Sequence, residues 1–88
     1  MKFVFSGNLL RFSGFRREVD IHAPTVGQGL TELVTHCPAL APVLLDGQGQ
    51  LRAVHRLFLN GEQLTGPELE RAAKPEDEVT LLTAIAGG

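Results

Sequence analysis

The chain ends Ala84-Ile85-Ala86-Gly87-Gly88, and the reactive group this ending offers is its own terminal carboxylate. Such a carboxylate has a pKa of about 3.5 and is ionised at neutral pH, so it is a poor electrophile until another molecule activates it. Two glycines suit that use, because without a Cβ they reach backbone geometries closed to other residues and let walls close on both sides. Five residues span at most about 18 Å fully extended, at roughly 3.3 to 3.6 Å each, which is enough to enter a pocket on another protein. A frayed end would read the same way in isolation, so the elements upstream must decide.

The other residues of chemical character do not assemble. Cys37 falls on an apolar helical stripe and is expected to pack in the core. His22, His36 and His55, even with Cys37, have no recognised zinc spacing, and no metal site is expected. They are expected to be solvated or partly buried. Gly27-Gln28-Gly29 and Gly47-Gln48-Gly49 lack the rest of any phosphate-binding fingerprint. No nucleophile, base and orienting group can be combined, so catalysis by the chain alone is not expected.

The elements that must position the terminus follow from periodicity. Lys2 to Ser6 alternates as a strand with Phe3 and Phe5 toward the core. Gly7, Asn8, Ser13 and Gly14 mark a loop, and Arg17 to His22 alternates again, with Val19 and Ile21 inward. Thr25 and Gln28 form a T-x-x-Q capping signature for a helix carrying Val26, Leu30, Leu33, Val34 and Cys37 on one stripe and ending at Pro38. Gly27 and Gly29 weaken its first turn by up to about 1 kcal/mol each. Leu40 to Leu45 forms a further helical turn before the Asp46 to Gly49 loop. Val54 to Leu59 is a third strand, Asn60-Gly61 a hairpin turn, and Glu62 to Leu64 a fourth strand. Pro67 to Ala73 crosses back, and Glu78 to Thr83 is the last strand. Alternation sends Leu57, Leu59, Val79 and Leu81 to the helix-covered face and leaves Phe58 and Leu82 on the other, where an exposed apolar pair marks a partner surface.

Composition bounds the class. Eighty-eight residues, 43 % hydrophobic and 20 % charged, make one small folded domain. A net charge of −2 lacks the basic field a phosphate backbone requires, so nucleic-acid binding is not expected. Residues 1–44 sum to +1, with Arg11, Arg16 and Arg17 close together, and residues 45–88 to −3. No run approaches the roughly 20 apolar residues that cross a bilayer. The start MKFVFSG lacks a signal-peptide core, and one Cys forms no internal disulfide, so a cytoplasmic location is expected.

The run Arg56-Leu-Phe-Leu-Asn-Gly-Glu-Gln-Leu64, then Asp77-Glu-Val-Thr-Leu-Leu82, then a terminal Gly-Gly, resembles ubiquitin and the ThiS/MoaD-type sulfur-carrier family, including the small subunit of molybdopterin synthase and the carriers of cysteine biosynthesis. The element order is similar to theirs over nearly the whole chain. The resemblance implies an α+β, β-grasp (ubiquitin-like) fold: a mixed sheet of four to five strands covered by one main helix in residues 1–83, with 84–88 as a flexible tail. It also implies that an E1-like enzyme adenylates the Gly88 carboxylate with ATP and that a sulfur nucleophile converts it to a thiocarboxylate. Gly87 would let the terminus through, Ala84, Ile85 and Ala86 would lie along the partner with Phe58 and Leu82, and no cofactor would be held permanently. The implied partners are that enzyme, a sulfur-accepting biosynthetic enzyme, and a metalloprotease or hydrolase acting on the carrier. The receiving pathway stays open between molybdopterin, cysteine and another sulfur-containing metabolite. A modifier joined through Gly88 to lysines is the alternative, and a non-covalent interaction module with an idle tail is a third.

Overall fold

The computed structural model describes residues 1–5, 9, 10, 14 and 16–83. Its elements are β1 (Lys2–Phe5), β2 (Glu18–Asp20), α1 (Val26–His36), a 3₁₀ turn (Pro38–Leu40) running into α2 (Ala41–Leu44), β3 (His55–Leu59), β4 (Glu62–Leu64), a 3₁₀ turn (Gly66–Glu70) and β5 (Glu78–Thr83). The five strands form one sheet in the order β2-β1-β5-β3-β4. At its centre β1 and β5 run parallel, and every other pair is antiparallel. This is the α+β, β-grasp arrangement expected from the sequence.

Period-2 alternation places Phe3 and Phe5 of β1, Leu57 and Leu59 of β3, Leu64 of β4, and Val79 and Leu81 of β5 on one face, all buried. The stripe of α1 covers them with Val26, Leu30 and Leu33 buried, while Val34 and Cys37 pack half-buried at the margin. Met1, Leu9, Ile21, Leu40 and Leu44 complete the cluster. Burying such side chains contributes about 1.5 to 3 kcal/mol each, which is what holds a short helix on a short sheet.

Local chemistry sets the ends. Thr25 caps α1, its Oγ1 accepting the Gln28 N–H at 3.1 Å. Asn60 and Gly61 have φ of 50° and 88°, the left-handed pair a two-residue hairpin needs. The Gly66–Glu70 turn carries a capping box the sequence reading passed over, with Glu68 Oε1 accepting from both the Thr65 N–H and hydroxyl.

Three expectations change. The second strand is three residues long rather than six and Val19 is only half-buried, because β2 pairs with β1 alone at the sheet's edge. Ile21, just past it, is buried and donates its N–H to the Met1 carbonyl at 2.8 Å. Gly29 is more than a weak point of α1: a Cβ there would overlap the Met1 Cε and lie 2.8 Å from its Sδ, so the missing side chain is what admits Met1 to the core. His55, expected to be solvated or partly buried, is buried. The loop residues Gly7, Asn8 and Ser13, and Ser6 of the first strand, lie outside the described residues.

Candidate functional site

The helix covers one face of the sheet, and the register assembles the other. Glu18, Val4, Thr80, Phe58 and Gln63 stand in one line across all five strands as successive Cα partners. The next line toward the β5 end pairs Leu82 with Arg56, and the line on the other side holds Asp20, Lys2 and Glu78. Val4, Thr80 and Phe58 are half-buried there, Leu82 is 39 % exposed, and Val54 just ahead of β3 is 51 % exposed. Half-buried Val4 and Phe58, on either side of Thr80, thus form with exposed Leu82 a partly apolar strip over this face, and apolar surface left open to solvent in this way fits a contact.

Charge gives the strip two different ends. On the β2 side lie Glu18, Asp20 and Glu78 with Lys2, whose Nζ is 3.6 Å from the Glu18 carboxylate. On the β3 side the exposed guanidinium of Arg56 donates to the Ala53 carbonyl at 2.7 Å. Phe58 and Leu82, singled out from alternation, share this face and are two rungs apart in the ladder. Val4, Thr80 and Arg56 join them. With Phe3 and Phe5 toward the core, alternation puts Val4 on the outward side of β1, but nothing local reveals that β1 pairs with β5.

β5 leads into the terminus. Gly88, Gly87, Ala84, Ile85 and Ala86 lie outside the described residues, so the site can be traced as far as Thr83. There the sheet holds the chain firmly: Thr83 and His55 are Cα partners, and the Thr83 Oγ1 is 3.2 Å from His55 Nδ1, while His55 Nε2 is 2.8 Å from the Val43 carbonyl oxygen.

The start of β5 is tied as tightly. Asp77 is buried, its carboxylate accepting from Asn60 Nδ2 at 3.0 Å and from the Lys74 N–H at 2.8 Å. The Asn60 bond above all, then the Lys74 amide, holds its carboxyl below the ordinary value of 3.8. Asn60 Oδ1 also accepts the Glu78 N–H at 2.9 Å. The Asn60-Gly61 turn and the Asp77-Glu78 motif are thus one structural unit that anchors the start of β5.

The remaining candidates sit elsewhere. Cys37 is the C-cap residue of α1, His22 and His36 are exposed, and among the described residues no three His, Cys, Asp or Glu side chains are placed to hold a metal. Gly47 and Gly49 belong to a turn closed by Asp46, whose Oδ1 accepts from the Gln48 and Gln50 amides at 2.8 and 3.0 Å. Those bonds, Gln50 first, lower its carboxyl pKa. A groove of about 740 Å³, lined by Leu30, Leu51, Arg52, His55, Leu64 and Leu69 among others, opens on the helix side. No helix among the described residues is long and apolar enough to cross a membrane.

No family model and no curated protein matches the sequence. Solved structures do match. The fold is similar to SAMP1 from Haloferax volcanii, with a TM-score of 0.82 and 29 % identity over 99 % of this chain and 97 % of that one. It is similar to small archaeal modifier protein 1 from Methanosarcina acetivorans, with a TM-score of 0.83 and 26 % identity over 99 % and 94 %. CysO, in the BexX/CysO complex of Amycolatopsis orientalis, shares the fold at a TM-score of 0.84 and 22 % identity over 99 % and 98 %.

Proposed function

We propose that this chain, whose structure matches the ubiquitin-like β-grasp superfamily of sulfur carriers and small modifiers, is a sulfur carrier that acts as a substrate of partner enzymes. One conjunction carries the reading: the diglycine terminus begins four residues beyond the end of β5, in a fold shared over 99 % of the chain with SAMP1. An E1-like enzyme docks on the strip formed by Val4, Phe58 and Leu82 and receives the terminus. A Gly88 carboxylate oxygen attacks the α-phosphorus of the enzyme's ATP and pyrophosphate leaves. Hydrosulfide then attacks the acyl carbon and AMP leaves with release of a proton, giving a thiocarboxylate. Ala84, Ile85 and Ala86 supply reach, and Gly87 lets the reaction site close around the backbone. On a biosynthetic enzyme the thiocarboxylate sulfur bonds to the acceptor substrate, and water then attacks the acyl carbon and breaks its bond to sulfur, which leaves the sulfur on the acceptor and restores the Gly88 carboxylate.

Intact-mass spectrometry of the protein from its native cells tests this. A thiocarboxylate adds about 16 Da at the terminus, one sulfur for one oxygen, to a group that is otherwise a plain ionised carboxylate. Spectra from sulfur-replete cells that contain only the carboxylate would count against the carrier. The 26–29 % identity to proteins named as modifiers favours a second reading, conjugation through Gly88 to lysines. High-mass conjugates lost on deleting the terminal glycines would identify it.

A further inference from the structure

His55 has no part in the chemistry above, yet it and Asp77 are the buried polar or charged residues among those described. The Val43 carbonyl 2.8 Å from its Nε2 can only accept, so Nε2 carries the proton. In the neutral ring Nδ1 is then an acceptor, and the Thr83 hydroxyl at 3.2 Å is its donor. Thr83 is also the Cα partner of His55, the last residue of β5, and the residue immediately ahead of 84–88. One buried imidazole thus joins α2, the first residue of β3 and the last residue of β5 where the C-terminal segment begins.

The geometry points to His55 as a positioning residue that clamps Thr83 to β3 and α2 and thereby limits the slack in the chain just ahead of the residues that carry the terminal carboxylate. Strand ends are where ladders open first. Each residue released from β5 would add two free dihedrals and about 3.3 to 3.6 Å of slack ahead of the carboxylate, spreading Gly88 over a larger volume at a moment when orientation governs rate. An apolar residue at position 55 would fill the space but leave the Val43 carbonyl without its partner and Thr83 untethered. The effect on reaction rests on the sulfur-carrier reading, whereas the clamp itself does not.

Thr83→Val keeps the β-branched shape and removes the hydroxyl, and Thr83→Ser restores it. In the free chain, ¹⁵N NMR should find the Nε2–H tautomer of His55. Amide exchange at the end of β5 should quicken about fivefold in Thr83→Val and return to within about twofold of wild type in Thr83→Ser, the scale of one hydrogen bond. With the activating enzyme, ATP–pyrophosphate exchange should show kcat about fivefold lower in Thr83→Val with KM for the chain within about twofold, because the docking strip is untouched. A merely structural role would deplete folded chain and raise the apparent KM instead. An Nδ1–H tautomer, or a Thr83→Val chain with wild-type exchange and wild-type kcat, overturns the inference. A wild-type chain with the clamp's NMR signatures that no activating enzyme adenylates refutes the sulfur-carrier reading and leaves the clamp standing.

Discussion

A charge at Leu82 separates docking from folding, and the register says by how much. Leu82 is 39 % exposed, so Leu82→Asp forfeits only part of the roughly 1.5 to 3 kcal/mol that full burial of a leucine provides. The new carboxylate stands directly opposite Arg56, and an opposite-charge cross-strand pair returns about 0.2 to 1 kcal/mol. The net loss is about 1 kcal/mol, a fall in Tm of about 4 to 8 °C for a domain of this size. Phe58→Asp lacks that offset. Its ring is half-buried between Thr80 and Gln63, so removing it costs about 2 to 3 kcal/mol and about 10 to 20 °C. Both substitutions put a charge into the strip where a partner must exclude water, and a central contact of that kind is worth at least about 2 kcal/mol, or about thirtyfold in kcat/KM. The decisive assay measures Leu82→Asp by thermal melting and by ATP–pyrophosphate exchange well below its Tm. Adenylation within about threefold of wild type by a fully folded Leu82→Asp chain would show that this face is not where the activating enzyme docks. Outright unfolding would place Leu82 in the core and refute the register argument.

Deleting Gly87 and Gly88 should abolish adenylation while changing stability by no more than about 0.5 kcal/mol, since the two residues follow the end of β5; wild-type turnover by the truncated chain would exclude the terminus as the reacting group. Asn60→Ala should lower stability by about 2 to 3 kcal/mol in chemical denaturation, because it removes two side-chain hydrogen bonds to Asp77 and Glu78 and puts a Cβ-bearing residue without a local polar partner at φ 50°. Asp77, Asp46 and Glu68 all have depressed carboxyl pKa values, caused first by the Asn60, Gln50 and Thr65 hydrogen bonds respectively. Their stabilisation is therefore full above the ordinary carboxylate values and falls as pH drops through the depressed ones, as the unfolded chain takes up protons first. Melting curves between about pH 6 and pH 3 should show this acid limb, and Asp77→Asn should flatten it.

Most of the strand and helix positions were legible in the sequence because they rest on local rules. Phe3 and Phe5, Leu57 and Leu59, and Val79 and Leu81 declare their faces by alternation. Val26, Leu30 and Leu33 declare theirs by helical spacing, and Asn60-Gly61 announces its turn through residues that accept positive φ. Alternation likewise put Phe58 and Leu82 on the face opposite the helix, but where it led to an exposed apolar pair only Leu82 is exposed and Phe58 is half-buried. Periodicity reports which side a residue faces and is silent on which strand lies beside it. The parallel pairing that sets Lys2 against Glu78 and Val4 against Thr80, and so extends the apolar strip across the sheet, joins the two ends of the chain and is set by tertiary packing, which no local rule reports. Packing likewise turned Gly29 from a helix weakness into the seat of Met1. It also turned His55 from a histidine expected to be solvated or partly buried into the link between Val43 and Thr83, because a buried polar group takes whatever partners the folded chain brings within reach, and those partners lie 12 and 28 residues away in sequence.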